Sequence, residues 1–373
     1  MTGFDNQGCK SKINLTKNFQ IIFDAGGAES NLFDLPIRRG GKDFLENLEC
    51  LFDTYKSNVS SLFYVDDDFR SKYAGTVRKI CGGIIKSVEE FLNGKENNAY
   101  NEFDSVFQEL MKHPLLAYDG KIRSSQRFNL YRVRKVDENR IYARNEIFHT
   151  PFNLRNKIAT SRYSISGYPS LYLSSSVSLC LKELERENNL GRYIVSRFEI
   201  ADEECLKIFD LGLKPSDFIN RFNEAEAINK SEMKDRQKLI QYDNFHDEEL
   251  LEKYILWYPL IAACSFMRLN RKDPFAVEYI IPQLLMQHIR NYEKNGENVY
   301  GIRYFSCASE FASDMGFNYV FPTNYTDSNS SRKSNFCNNL NRAFKLTAPV
   351  LLEEYESEKD MILDLERLKT AHI

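Results

Sequence analysis

The 373 residues carry 50 Lys and Arg against 53 Asp and Glu, a formal net charge of −3, and are 42% hydrophobic and 28% charged, enough for about two cores and without the basic tract that nucleic acid binding asks for. The eight cysteines (9, 50, 81, 180, 205, 264, 307 and 337) form no Cys-x-x-Cys pair and the five histidines show no ligand spacing with them, which argues against a disulfide framework and against a zinc site and points to a reduced, cytoplasmic setting. The opening MTGFDNQGCKSKINLTKNFQ lacks an apolar run, and Leu256 to Leu269 is too short to span a bilayer and contains Pro259, so no membrane partner is expected.

Apolar residues at 44, 45, 48, 51, 52 and 55, again from Val77 to Leu92, and again from Phe103 to Met111 recur at helical spacing. They predict a helical domain over residues 1–120. After Asp119-Gly120 the pattern changes, and Arg127 to Val136 alternates as a half-buried strand does. Further strands are expected at 170–174, 192–200, 205–211, 276–281, 299–306 and 317–321, with helices at 176–189, 247–269 and 282–294. The charged stretch 214–241 reads as an insertion or helical excursion. Apolar positions 351, 352, 355, 362, 365 and 368 predict a C-terminal amphipathic helix over 350–373, leaving 121–349 as a second domain. Strands and helices alternate irregularly, without a βαβ rhythm, so the expected class is α+β.

Within that second domain, Arg162, Gly167, Tyr172, Ser174 and Glu183 lie close together in the run that begins Ser161-Arg162-Tyr163-Ser164. In the strand 170–174, burial of Leu171 and Leu173 turns Tyr172 to the opposite face, and Glu183 sits just off the stripe of Val177, Cys180, Leu181 and Leu184. The spacing resembles that of the RES-domain family, bacterial toxins and defence proteins that degrade NAD and whose fold is related to ADP-ribosyltransferases. Leu130-Tyr131-Arg132 is similar to that family's opening strand, Gly301 to Ser306 to its late strand, and Gly316 to Phe321 to its closing strand. The sequence departs from the family pattern at Ser161, Tyr163 and Ser164, where Gly, Trp and Asn are usual.

The resemblance implies an ADP-ribosyltransferase-like mixed sheet with flanking helices behind a helical N-terminal domain. It also implies cleavage of the nicotinamide–ribose bond of NAD, with NAD as substrate and no cofactor or metal, in a toxin or phage-defence effector. The residues suit that chemistry. Arg162 offers a planar fork of donors for pyrophosphate, Tyr172 a ring for nicotinamide, and Glu183 a carboxylate for an oxocarbenium-like ribose. Ser174, Ser306, Tyr163 and His149 are the accompanying substrate-side candidates, Ser306 as an orienting donor and His149 as a structural or substrate-lining residue. Arg132 either binds phosphate or ties the first strand to the sheet. Water, phosphate or a protein side chain is an equally suitable acceptor, so a protein ADP-ribosyltransferase, or a non-catalytic fold that binds a nucleotide or partner, is the alternative. An inhibitor (antitoxin) protein or self-association would restrain such an enzyme.

Overall fold

The computed structural model describes residues 16–23, 32–40, 43–61, 73–119, 129–138, 140–184, 192–201, 206–220, 222, 248–270, 273–292, 299–324 and 334–373. Its longer helices are α1 (Phe44–Ser61), α2 (Gly75–Leu92), α3 (Glu96–Leu110), α4 (Val177–Leu184), α5 (Glu248–Cys264), α6 (Ile280–Tyr292) and α7 (Glu358–Arg367). Two compact units share them: Met1–Leu115 with Leu213–Ile281, and Leu116–Gly212 with Pro282–Ile373.

The first unit is helical. The stripe that predicts α1 is the face it buries, through Phe44, Leu48, Leu51, Phe52, Tyr55 and Val59. Helix α5 is different: Tyr254, Ile255, Trp257, Tyr258, Leu260 and Ile261 are all fully buried, so apolar residues surround it. Around it lie Phe19, Phe23, Phe33 and Tyr55, with ring centroids 4.8 Å apart for Phe23–Tyr258 and for Tyr55–Tyr258. Pro259 lies inside α5 and has no N–H to give the Ile255 carbonyl. The Tyr55 hydroxyl donates to that carbonyl at 2.8 Å instead. This packing corrects the reading of 121–349 as one continuous domain, because 213–281 supplies the aromatic centre of the first unit.

Among the described residues the second unit holds a nine-stranded sheet: β1 (Leu116–Asp119), β2 (Asn129–Val136), β3 (Ser170–Ser174), β4 (Arg192–Ile200), β5 (Leu206–Leu211), β6 (Val299–Phe305), β7 (Phe317–Pro322), β8 (Phe344–Leu346) and β9 (Val350–Leu351). The order is β1-β5-β6-β7-β3-β2-β4-β8, with β9 also on β4. Among the described strand pairs only β5·β6 is parallel. The β2·β3 contact is a single register pair, Tyr131↔Ser174. Alternation sends Leu171, Leu173, Tyr319 and Phe321 into one core, with Leu130, Phe198 and Phe344. On the other face, Tyr131, Val133 and Val195 pack against Val177 and Cys180 of α4 and Met361 and Leu365 of α7. The chain is therefore an α+β protein with a mixed sheet.

Two predicted elements differ. Residues 276–281, read as a strand, form a 3₁₀ turn (Val277–Tyr279) and the start of α6, with Pro282 in the first turn where its missing N–H is harmless. A short apolar run has no period long enough to separate the two states. The tail is not one helix. Val350 and Leu351 pair with Val195 and Ile194, and α7 starts only at the Ser357 cap, whose hydroxyl accepts from the Asp360 N–H. The expected residues 127–128, 185–189 and 223–241 lie outside the described residues.

Candidate active site

Arg162 and Tyr163 occupy the tip of a tight turn closed by two backbone bonds, Ser161 N–H to Ser164 O at 2.8 Å and Ser164 N–H to Ser161 O at 3.1 Å. Three side chains hold this turn. The Tyr172 hydroxyl lies 2.8 Å from both Ser161 Oγ and Ser164 Oγ, Gln283 Nε2 donates to the Ser161 carbonyl at 3.0 Å, and the Tyr163 ring packs on Tyr304 with centroids 4.8 Å apart. Gly167, at φ +80°, lets the chain turn back so that its N–H reaches the Ile158 carbonyl. Ser161 and Ser164 are thus the side chains that anchor the Arg162 turn to β3.

Glu183 is the last residue but one of α4 and is exposed. Its Oε1 accepts from the Ser306 hydroxyl and from Asn318 Nδ2, each at 2.7 Å. Asn318 is oriented in turn, because its Oδ1 accepts from the Ser174 hydroxyl at 2.5 Å, while Ser306 Oγ also accepts from the Ala308 N–H at 3.1 Å. Strand register assembles this group: Ser174 faces Asn318 across β3·β7, and Asn318 faces Tyr304 across β7·β6. Gly316 permits the entry into β7. It has φ +130°, and a Cβ there would lie 2.3 Å from Ser175 Oγ, the oxygen that accepts from the Phe317 N–H.

Tyr304 links the two halves of the site. Burial pushes its phenol pKa well up; the Tyr172 hydroxyl and the Glu183 carboxylate add to that shift, and the Arg162 charge opposes it. Cys180, one turn before Glu183, is held up to about 11, chiefly by burial, and is no thiolate at neutral pH. Among the described residues no group of His, Cys, Asp and Glu could hold a metal.

The sequence-predicted residues separate by accessibility. Arg162 and Tyr172 are half-buried and Glu183 is exposed. Tyr163 is 1% exposed, Ser174 5%, and Ser306 and His149 0%, so these four hold other groups and do not line the surface. The His149 case is the plainest correction. Its Nε2 accepts from the Cys337 N–H and its Nδ1 faces the Thr150 carbonyl, each at 2.9 Å, within a cluster of Phe148, Phe152 and Phe336. No ring nitrogen remains for a substrate. Arg132 Nη1 donates to the Tyr172 carbonyl at 3.2 Å, beside the place where β2 and β3 share one register pair, and so ties those strands together. Burial first, then the Arg134 charge, lower its pKa to about 10, which leaves it cationic at neutral pH.

Asn318, Tyr304 and Gln283 complete the site and were not singled out from sequence. Asn318 had a signal: it is a buried polar residue in a strand whose neighbours Tyr319, Val320 and Phe321 are core. Such a residue needs a partner.

A Bacillus subtilis (strain 168) protein named "Putative toxin YopC" is 31% identical to this chain over 339 residues, which covers 88% of the chain and 70% of that protein. No family model and no solved structure matches the chain.

Proposed function

Since the chain belongs to the family of the Bacillus subtilis protein named "Putative toxin YopC", we propose that it is a toxin, and that it acts by breaking the bond between nicotinamide and ribose in NAD. The observation that carries this reading is the state of Glu183: an exposed carboxylate whose Oε1 is fixed by two donors while its Oε2 has no hydrogen-bond partner among the described residues. A carboxylate so held cannot turn away when positive charge develops beside it, which is the condition for electrostatic stabilisation of an oxocarbenium-like ribose. The spacing of Arg162, Tyr172 and Glu183 resembles that of RES-domain proteins and supports the same chemistry.

In the proposed reaction the C–N bond breaks with its electron pair leaving on the nicotinamide nitrogen. Glu183 Oε2 faces the ribose, and Arg162, fixed by its anchored turn, binds pyrophosphate oxygens. The acceptor oxygen of water or phosphate then bonds to the ribose carbon and releases its proton to solvent. Tyr172 offers its ring to the nicotinamide, since its hydroxyl is engaged with Ser161 and Ser164. An inhibitor protein covering Arg162 and Tyr172, or self-association, is the proposed restraint.

Incubation of the purified full chain with NAD, with and without phosphate, followed by mass analysis of products, tests this. Free nicotinamide should accumulate, and Glu183→Gln should lower the rate on the order of 10²–10³-fold, as removal of one electrostatic stabiliser typically does. Intact NAD with wild-type protein, or unchanged turnover by the variant, would overturn the reading.

A further inference from the structure

We propose that Ser174 and Asn318 form a two-residue relay that fixes Glu183, and that Asn318 is a positioning residue of this site. The inference rests on the reading of Glu183 as the catalytic carboxylate and names what keeps it in place.

Direction is what makes the arrangement a relay. A serine hydroxyl facing an amide can meet either its oxygen or its nitrogen, and here the Ser174 hydroxyl lies 2.5 Å from Asn318 Oδ1. The amide has one oxygen and one nitrogen, so that contact turns Nδ2 to the opposite side, where Glu183 Oε1 lies at 2.7 Å. A flipped amide would set Oδ1 against a carboxylate oxygen and leave two acceptors face to face. Ser306 closes the arrangement from the other side, donating to the same Oε1.

Burial decides the role. Ser174 and Asn318 are 5% and 4% exposed, and both point into the sheet–helix junction beneath an exposed Glu183. They reach a substrate only through that carboxylate. Neither bond is needed to pair the strands, since β3 and β7 are already joined over five register pairs from Ser170↔Pro322 to Ser174↔Asn318. A buried side-chain chain of this kind loses its effect when one member is inverted, because the remaining members are left mispaired.

Asn318→Asp keeps the shape and replaces the donor by an acceptor 2.7 Å from Glu183 Oε1. Two acceptor oxygens at that distance have no hydrogen between them, so that hold on Oε1 is lost. Other titratable or charged groups around the site are Cys180 on α4, Tyr304 on β6, Cys307 just after it, Tyr172 on β3, Arg132, which donates to the Tyr172 carbonyl, and Arg162 on the turn; Lys182 immediately precedes Glu183 on α4. All are unchanged in the variant.

Two readouts are compared. The first is the ¹³C signal of the Glu183 side-chain carboxyl, assigned by its loss in Glu183→Gln and recorded at neutral pH without NAD; in Asn318→Asp, which takes away one of the two donors to Oε1, this signal should shift. The second is turnover of NAD, in which kcat should fall on the order of 10-fold or more while KM stays within about twofold. Ser174→Ala should show the same split more weakly, and Ser174→Thr, which keeps the hydroxyl, should restore it. An unmoved Glu183 signal in a folded Asn318→Asp protein overturns the relay. A moved signal in a protein that leaves NAD intact supports the relay and overturns only the choice of NAD.

Discussion

His149 sits among Phe148, Phe152 and Phe336 with both ring nitrogens engaged. Burial, the largest cause, lowers its pKa from 6.5 to about 4, and the backbone contact to Thr150 only partly opposes this. A value depressed in the folded state means that the unfolded chain takes up the proton first as pH falls. The stability tied to the neutral ring is therefore fully present above about pH 6.5 and is lost progressively toward pH 4, by roughly 3 kcal/mol across that window. Urea midpoints at pH 7.5 and 4.5 check this against His149→Gln, which should be weaker at pH 7.5 yet lose less on acidification. Equal losses in the two proteins would count against the assignment. The same burial explains why residue type alone misjudged reach: a serine, tyrosine or histidine with suitable chemistry is as useful under a site as in it.

Among the elements, α5 shows what a periodic pattern leaves out. The apolar run and Pro259 are legible in the sequence, but the carbonyl that Pro259 orphans at Ile255 is met by Tyr55, 200 positions away. Tyr55→Phe removes only that oxygen and leaves a buried acceptor without a donor, a loss of about 1–3 kcal/mol. A lowered midpoint of chemical unfolding with unchanged helix content by circular dichroism would be the expected result, and an unchanged midpoint would show that the carbonyl is satisfied otherwise. Site elements divide in the same way. Arg162, Tyr172 and Glu183 fall within 22 consecutive residues, so their spacing could be read directly. Asn318 lies 135 positions from Glu183 and Ser306 lies 123, and pairing of β7 with β3 and β6 brings them there. Strands 192–200, 299–306 and 317–321 were legible from alternation, whereas 276–281 and the tail were not, because β-branched and aliphatic runs this short satisfy either period.

At the scale of the molecule, the sheet unit is interrupted by residues that belong to the helical one. A fragment spanning 116–373 would carry Tyr254, Trp257 and Tyr258, all fully buried, without Phe19, Phe23, Phe33 and Tyr55 to cover them. Such a fragment should elute as aggregate in gel filtration and bind a hydrophobic dye, since burying three large aromatic rings is worth several kcal/mol. A monomeric fragment with a sharp melting transition would show that 213–281 does not depend on the first 115 residues.

The parallel pairing of β5 with β6 joins strands that end at Leu211 and begin at Val299. A ribosome therefore finishes Arg162, Tyr172 and Glu183 well before it reaches Ser306 and Asn318, the two donors that hold the carboxylate. Until translation passes residue 318, the emerging chain contains Arg162, Tyr172 and Glu183 but not both donors to Glu183 Oε1. In the toxin reading proposed above, this order of synthesis would be a safeguard. Chains stalled or terminated before residue 318 would lack the Asn318 donor to Glu183.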